Sequence, residues 1–327
     1  MPGIWSRHPK YFIFVLVVLG TTFYLLNPLS PEPQFKRLSF PYDLELPGRL
    51  ERAETIYKKL LDDRRGLIKK FGPTPADVQM FPADKDPWPA YTVWDFFPAA
   101  YNCPHDIQRL GALGDGGKWV CGITRIENKQ DCVVYSFGIN HESSFEAEIL
   151  ANTNHCEIWG YDFTVHSFGP QITKSQEHRT HFYPYKLGGS NKPAVGDEPA
   201  MFTLSSLMKT NGHSHIDILK VDIESWEFET LTTLIKSYTS AGLPLPFGQL
   251  QLEIHAWNKS FEEFLSWWEM LEDAGLRPFW TEPNLVYQNY NRGATVDLAE
   301  YSFLNVKGDN VFIRDPPRTS AERKHDV

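Results

Sequence analysis

The sequence predicts an α/β protein built on a doubly wound parallel sheet, and three observations lead to this fold class. From residue 132 onward, short apolar runs rich in β-branched and aromatic residues alternate with amphipathic segments. The stretch 216–227 (IDILKVDIESWE) is a strand pattern that ends in carboxylates before a helix pattern begins. A glycine or an acid follows the first strands. Repeated β-α-β units predict right-handed crossovers, and ligands of such sheets bind beyond the carboxyl ends of the strands.

The predicted elements follow one another in the order of a β-α-β repeat. Apolar runs predict buried strands at 132–137, 157–161, 181–186, 217–221 and 249–255. Two closing strands are predicted at 277–281 and 300–304. Apolar periodicity predicts helices at 144–151, 225–236 and 261–274, and Gly275 ends the last of them.

The N-terminal stretch 11–26 (YFIFVLVVLGTTFYLL) is uncharged and almost wholly apolar. It is slightly short for a membrane helix, but no small-x-small cleavage site follows it, so we expect an uncleaved signal anchor. Arg7 and Lys10 precede the run, while Lys36 and Arg37 follow it, so the charge bias is weak. A short basic tail before a large domain favours a lumenal C-terminal domain, and a short span suits endoplasmic reticulum or Golgi membranes.

The chain divides into five predicted segments. They are a short tail (1–10), the transmembrane anchor (11–26), a Pro-rich stalk with a stem helix (27–95), the main domain (96–315) and a flexible C-terminal tail (316–327). We interpret the charged helix at 49–71, which Gly72-Pro73 ends, as a solvated stem helix. The aromatic stretch 88–101 is expected to pack on the main domain as a lid or brace.

Composition restricts the partners and the compartment. The 327 residues carry a net charge of −9 and no long basic run, which argues against nucleic acid as a partner. Cys103, Cys121, Cys132 and Cys156 are an even set that suits disulfides in an oxidising lumen, but three pairings are possible and free core thiols fit equally. No CxxC spacing indicates a metal cluster. The sequon at Asn258 adds weak support for a lumenal location.

Two positions after the first strands indicate an adenosine ligand. Gly138 follows the first strand and allows a tight turn and a close approach of the ligand. Asp162 follows the second strand, where an acid can accept hydrogen bonds from ribose hydroxyls. The loop has one glycine and lacks the GxGxxG pattern of a pyrophosphate site. The pair therefore points to S-adenosylmethionine, although each residue alone is also typical of an ordinary turn.

The densest group of candidate catalytic or metal-binding residues lies at the ends of the fourth and fifth predicted strands. Asp222 and Glu224 follow one strand, and Glu253 and His255 end the next. Alternation places the members of each pair on one strand face, so adjacent strand ends would bring all four together. The four could act as a general base toward a hydroxyl, or hold a divalent cation. At least one of them is expected to be only a salt-bridged structural group.

A glycine-dense turn precedes these strands at 109–121 (RLGALGDGGKWVC). It is not a P-loop, because its Gly-Lys is not followed by Ser or Thr and a helix. It fits a simple hairpin, and its backbone amides could also meet the carboxylate of the cofactor's methionine end. Asp115 in this turn is included among the candidate cofactor-binding residues.

These motifs, in this order, resemble the methyltransferase-like 24 group and the wider FkbM-type methyltransferases. The resemblance extends over about 101–312 and rests on the following segments: 109–117, 135–139, 144–146, 162–164 and 219–224. It implies a Rossmann-like, mostly parallel seven-stranded sheet and cofactor contacts at Gly138, Asp162 and Asp222. Ser225-Trp226 departs from the FkbM pattern, which has glycine after the Glu.

The sequence therefore predicts a membrane-anchored S-adenosylmethionine-dependent methyltransferase. We expect O-methylation of a hydroxyl on a glycan or small metabolite. A type II membrane glycosyltransferase using Asp222 and Glu224 as a metal-binding pair is an alternative hypothesis. A non-catalytic protein with the methyltransferase fold is another. The sequence does not indicate an oligomeric state.

Overall fold

The computed structural model describes residues 42–83, 86, 91–293 and 295–315. The predicted N-terminal tail at 1–10, the anchor at 11–26, residues 27–41 of the stalk and the C-terminal tail at 316–327 lie outside the described residues. Within the described ranges, no helix is both long enough and apolar enough to cross a membrane. One unit of the chain, Leu44–Val327, contains the helices and strands of the domain.

Six α-helices and eleven strands make up the described part of the chain. The helices are α1 (Leu46–Phe71), α2 (Ser144–Asn152), α3 (Leu204–Asn211), α4 (Glu227–Ser240), α5 (Phe261–Asp273) and α6 (Leu285–Tyr290). The strands before the middle of the domain are β1 (Ile107–Leu110), β2 (Lys118–Cys121), β3 (Val133–Phe137), β4 (Glu157–Tyr161), β5 (Thr180–Tyr183) and β6 (Lys186–Leu187). The remaining strands are β7 (Met201–Phe202), β8 (Ile216–Val221), β9 (Phe247–His255), β10 (Leu276–Pro283) and β11 (Leu298–Asn305).

Seven strands form one mixed sheet in the order β10-β11-β9-β8-β3-β4-β5. The pairs from β9 through β8, β3 and β4 to β5 are all parallel, while β11 runs antiparallel to both of its neighbours. The predicted doubly wound, mostly parallel seven-stranded sheet is therefore confirmed. Every residue of β8 and β9 is buried, as expected for central strands covered on both faces.

The third predicted strand is shorter than expected. The prediction of 181–186 merged two elements, because β5 ends at Tyr183 and β6 pairs separately with β7. Pro184 lies between them, and proline has no amide hydrogen with which to continue the ladder.

Helix α1 is part of the domain, so the interpretation of a solvated stem helix is wrong. Its face carrying Tyr57 and Arg64 is buried. Arg64 forms an ion pair with Glu272 of α5 at 2.8 Å, and Tyr57 donates a hydrogen bond to the same carboxylate. The charged residues that suggested solvation lie on the opposite face, but a single sequence does not tell which partner the inner face meets.

The described part of the aromatic stretch before β1 packs on the main domain, as predicted, through contacts with helix α5. The ring of Phe97 lies 5.0 Å from that of Trp268, and Phe96 packs 4.7 Å from Phe261. Two disulfides, Cys103–Cys121 and Cys132–Cys156, fix the pairing that the sequence left open.

Candidate functional site

A cavity of about 370 Å³ lies at the carboxyl edge of the sheet. The chain proceeds from β3 to β5 on one side and from β8 to β9 on the other, so β3 and β8 flank the point where the winding reverses. Open α/β sheets bind ligands at this point. Four of the predicted residues line the cavity, namely Gly138, Asp162, Asp222 and Glu224.

Gly138 forms the floor of the cavity between β3 and β8. Its φ is +83°, a left-handed conformation that favours glycine. A Cβ built on this residue would lie 2.1 Å from the backbone oxygen of Asp222. The two strand ends therefore approach each other at a distance that no side chain permits.

Asp162 holds the loop that follows β3. One carboxylate oxygen accepts hydrogen bonds from the amides of Ile139 and Asn140, at 2.8 and 2.9 Å. The other accepts from the amide and hydroxyl of Thr164, at 2.7 and 2.6 Å. Burial alone would raise the pKa of Asp162, but these hydrogen bonds lower it below the ordinary value. The sequence predicted that this carboxylate accepts hydrogen bonds from ribose hydroxyls. In the structure its two oxygens instead accept hydrogen bonds from the protein itself.

Three buried side chains, those of Lys220, Glu146 and Ser136, support this loop, and sequence reasoning assigned no role to them. The ammonium group of Lys220 donates to the backbone oxygen of Gly138 at 2.6 Å and lies 3.5 Å from the carboxylate of Glu146. The hydroxyl of Ser136 donates to the same carboxylate. Glu146 is itself fully buried, although it lies in the first turn of α2. A charged residue inside an apolar strand was the signal that could have identified Lys220.

Asp222, Glu224 and His255 converge at one side of the cavity. One ligand atom from each lies within 4.8 Å of the other two. Nε2 of His255 is 3.6 Å from Glu224 and 3.9 Å from Glu253. We call these four residues the carboxylate–histidine group, and the structure brings together all four predicted members.

Glu224 belongs to the group for a different reason than the predicted alternation of side chains along a strand. Strand β8 ends at Val221, before either acid. Glu224 and Ser225 have φ values of +54° and +69°, so a left-handed turn directs the Glu224 side chain toward His255. The serine that replaces the expected glycine therefore adopts a conformation that glycine would enter without strain.

Glu227 is the partner of His255 that the sequence did not reveal. It is fully buried, and its Oε1 lies 3.0 Å from the ring Nδ1 of His255 and accepts the His255 backbone amide at 2.7 Å. Glu227 lies in the first turn of α4, where an acid is also favoured by the helix dipole alone. Glu227 reaches His255 because β8 and β9 are adjacent strands of the sheet.

Carboxylates outnumber cations around the group, and this excess sets the ionisation of its members. Burial, Asp222 and Glu300 together raise the pKa of Glu253 to about 9. Burial would raise the pKa of Asp222, but Lys118 and Lys220 lower it. Lys118, itself buried, forms an ion pair with Glu300. Asp222 is therefore ionised at neutral pH, while Glu253 retains a proton.

His255 is affected by the same surroundings. Burial would lower the pKa of the imidazole, but its hydrogen bond to Glu227 and the charges of Glu253 and Asp222 raise it to about 9. In the absence of another cation, the ring is protonated at neutral pH.

The start of α6 lies beside the carboxylate–histidine group. The side-chain Nδ2 of Asn284 donates a hydrogen bond to Glu253 at 2.7 Å. The side-chain Oδ1 of the same residue caps α6 by accepting the backbone amide of Tyr287. Exposed apolar side chains lie on α6 and on the neighbouring β1–β2 turn; they are Leu113, Leu285, Val286 and Tyr290. We call these four the apolar rim.

The prediction of Asp115 as a cofactor contact has no support in the geometry. Asp115 lies exposed in the β1–β2 turn, and it is absent from the cavity lining. Two amides of the same turn are already used, because Gly111 donates to Glu148 and Ala112 to Ser144. The turn is a hairpin packed on α2.

A larger cavity of about 560 Å³ lies at the opposite, amino edge of the sheet. None of the predicted site residues lines it. Lys129 in its wall is already paired with Asp131 at 2.8 Å and Asp217 at 3.2 Å. The position at the switch point, rather than cavity size, therefore identifies the candidate site.

Comparisons with known proteins agree with the resemblance noted in the sequence. A family profile described as "Methyltransferase domain" matches residues 71–296. The chain is 30% identical over 164 residues to the human "Probable methyltransferase-like protein 24" and 28% identical to its Rattus norvegicus counterpart. Each alignment covers 47% of this chain and 43% of the relative, so the chain matches less than half the length of these curated relatives.

One similarity to a solved structure is weak. The Methanococcus jannaschii fibrillarin pre-rRNA processing protein aligns with a TM-score of 0.34 and 13% identity, over 63% of this chain and 73% of that one. The predicted resemblance to the methyltransferase-like 24 group is confirmed by the family profile and the curated relatives together.

Proposed function

The chain belongs to the methyltransferase-domain family, and on this premise we propose that it transfers a methyl group from S-adenosylmethionine to an acceptor hydroxyl. The observation that carries the proposal is that the cavity and the carboxylate–histidine group lie side by side at the carboxyl edge of the sheet. The cavity beside Gly138 lies next to the carboxylate–histidine group, which can bind or deprotonate a hydroxyl. Family membership favours this reaction over glycosyl transfer.

The residues of the cavity fit the cofactor that a methyltransferase domain implies. S-adenosylmethionine, when bound, supplies an electrophilic methyl group on a sulfonium sulfur. Gly138 leaves the floor free of any side chain, and Asp162 keeps the amides of the loop in a fixed arrangement. The walls combine aromatic surface, from Tyr161 and Phe163, with the carboxylate of Asp222. Such a mixture suits an adenosine with a charged tail.

The acceptor oxygen would form a bond to the methyl carbon while the carbon–sulfur bond breaks. The electron pair of that bond stays on sulfur, which becomes a neutral thioether. The hydroxyl proton passes to the carboxylate–histidine group. Asp222, which stays ionised at neutral pH, is the member of the group that would accept the proton, and a divalent cation held by the group would make the hydroxyl more acidic before that transfer.

The acceptor class follows from the surroundings of the group. We propose a hydroxyl on a glycan or small metabolite, and the apolar rim beside Asn284 favours an acceptor that also carries an apolar portion. Nucleic acid is not proposed, because the net charge of −9 would repel its phosphates.

We further propose a single-pass membrane protein with the catalytic domain in the lumen of the endoplasmic reticulum or Golgi. The apolar run at 11–26 supports an anchor, and the two disulfides suit an oxidising compartment. Protease protection of intact microsomes tests the orientation. Digestion of the domain without detergent would place it on the cytosolic side.

Calorimetric titration of the full chain with S-adenosylmethionine and S-adenosylhomocysteine tests the central proposal. We expect binding of both at one site per chain and loss of binding in Gly138→Ala. Methyl transfer is then followed with a labelled methyl group and a panel of hydroxyl acceptors. Absence of binding at millimolar cofactor would refute the proposed function.

A further inference from the structure

The acidic residues of the site are arranged around one imidazole, that of His255. His255 is 1% exposed, and its Nδ1 is engaged by Glu227. Its Nε2 points to Glu224 and Glu253 at 3.6 and 3.9 Å, and within the described residues it has no hydrogen bond. Nε2 is therefore the ring nitrogen that a ligand held between these carboxylates would meet.

The pairing of Glu227 with His255 is the arrangement that metal-binding histidines commonly show. Such a histidine donates one ring N–H to a carboxylate, which fixes the ring and leaves the other nitrogen free for the metal. Glu227 is fully buried and accepts both the ring and the backbone amide of His255. The imidazole is thus held in one orientation, toward Glu224 and Asp222.

We propose that Asp222, Glu224 and His255 bind one divalent cation of the manganese type. Their ligand atoms come from the end of β8, the turn after it and the end of β9, and all lie within 4.8 Å of one another. As a contribution to the proposed function, and resting on it, the cation would position the acceptor hydroxyl beside the methyl group. Binding of the cation itself does not depend on that role.

The donor set selects the class of cation. Two carboxylates and one imidazole suit Mn²⁺ better than Ca²⁺, which takes six to eight oxygen ligands. A structural zinc site would be closed by four ligands that are mainly cysteine or histidine. Three protein ligands leave coordination positions open for water or an acceptor oxygen.

The charge balance also favours a cation. Asp222, Glu224 and Glu227 lie around His255 together with Glu253, which retains its proton, whereas the neighbouring Lys118 is already paired with Glu300. A divalent ion would offset this local excess of negative charge.

Titration with Mn²⁺, followed by the electron paramagnetic resonance signal of the free ion, tests the proposal on the full chain in detergent after treatment with EDTA. We expect one Mn²⁺ per chain. Glu224→Gln should weaken binding at least about tenfold, and His255→Ala should remove it. The Glu224 side chain is 74% exposed, so its substitution should not disturb folding even if that of His255 does.

Asp309→Asn and His155→Ala at the amino edge are matched controls, because both residues are exposed and lie on the other side of the sheet. They should bind Mn²⁺ as the parent chain does. No binding by the parent chain, or equal binding by Glu224→Gln, would overturn the cation site. S-adenosylhomocysteine binding is measured on the same samples. If the parent chain binds S-adenosylhomocysteine but not Mn²⁺, the cation site is refuted and the proposed function stands. If the parent chain does not bind S-adenosylhomocysteine, the proposed function is refuted.

Discussion

Oε1 of Glu227 interacts with His255 twice, accepting its backbone amide at 2.7 Å and lying 3.0 Å from its ring Nδ1. The first residue of α4 thereby fixes the last residue of β9. A buried carboxylate in this position determines which ring nitrogen faces the site. The orientation of His255 is therefore set by a residue that would not touch the substrate.

Glu227→Gln should reduce methyl transfer because it removes the charge that holds the imidazole while keeping the side-chain shape. We expect kcat to fall about 10- to 100-fold, with the cofactor dissociation constant changed less than about threefold. Steady-state kinetics and calorimetry measure the two quantities separately. The control is Glu229→Gln, since Glu229 is an exposed acid in the same helical turn and should retain the parent rate. Equal losses in both variants would contradict the role of Glu227.

Gly138→Ala should abolish cofactor binding. The added methyl group would lie 2.1 Å from the backbone oxygen of Asp222, so β3 and β8 would have to separate at the floor of the cavity. The positive φ adds about 1–2 kcal/mol of strain. Calorimetric titration with S-adenosylhomocysteine measures the loss.

Gly212→Ala separates strain from steric conflict. Gly212 has a φ of +77°, but nothing lies within 4 Å of the position that a Cβ would occupy there. We expect Gly212→Ala to lower the free energy of unfolding by about the same 1–2 kcal/mol of backbone strain as Gly138→Ala, and to leave cofactor binding unchanged. Cofactor binding by Gly138→Ala at the parent affinity would show that the floor of the cavity lies elsewhere.

Asp162→Asn should destabilise the loop after β3 in a manner that depends on pH. An amide nitrogen cannot accept two of the four hydrogen bonds, so we expect a loss of about 2–4 kcal/mol at pH 7. The folded-state pKa of Asp162 is lowered, so its stabilisation is fully present above the unfolded value of about 3.9. It is lost as the pH falls through the folded-state pKa.

Urea unfolding of the parent chain and Asp162→Asn at several pH values measures this effect. The difference in free energy of unfolding should be constant between about pH 5 and 7 and should decrease below about pH 4. Asp115→Asn, in the exposed β1–β2 turn, should change stability by less than about 0.5 kcal/mol and leave cofactor binding intact. A difference that persists undiminished at pH 3 would argue against the ionised carboxylate as its source.

The sequence predicted the edge of the sheet that carries the site, because a parallel sheet places all its carboxyl ends together. Gly138, Asp162 and Asp222 could be identified from their positions after strands alone. The direction of each side chain could not. Asp162 follows β4 but its carboxylate turns to the loop after β3, because the backbone amides of residues 139 and 140 donate to it there.

The partners contributed by distant segments also remained hidden. Glu227 follows a strand and begins a helix, which is a common position for an exposed acid. Its burial depends on β8 and β9 being adjacent. Lys118 comes from the β1–β2 hairpin, which reaches the group through its ion pair with Glu300 of β11. Such contacts follow from tertiary packing rather than from local periodicity.

The ion pair between Arg64 and Glu272 makes α1 necessary for the stability of the domain. Arg64 donates to both carboxylate oxygens at 2.8 Å and to the backbone oxygen of Phe96 at 2.8 Å. Trp268 donates to the same carboxylate. Arg64→Ala would leave a buried carboxylate without its cation, and we expect a loss of about 3–5 kcal/mol in the free energy of unfolding.

Arg65→Ala provides the comparison, because Arg65 is the next residue and pairs with Asp62 on the exposed face of the helix. We expect its substitution to cost less than about 0.5 kcal/mol. Chemical unfolding of both variants, monitored by tryptophan fluorescence, measures the difference. If α1 were a solvated stem, the two substitutions would have equally small effects. A large effect of Arg64→Ala alone would make this helix an integral part of the fold that supports the site.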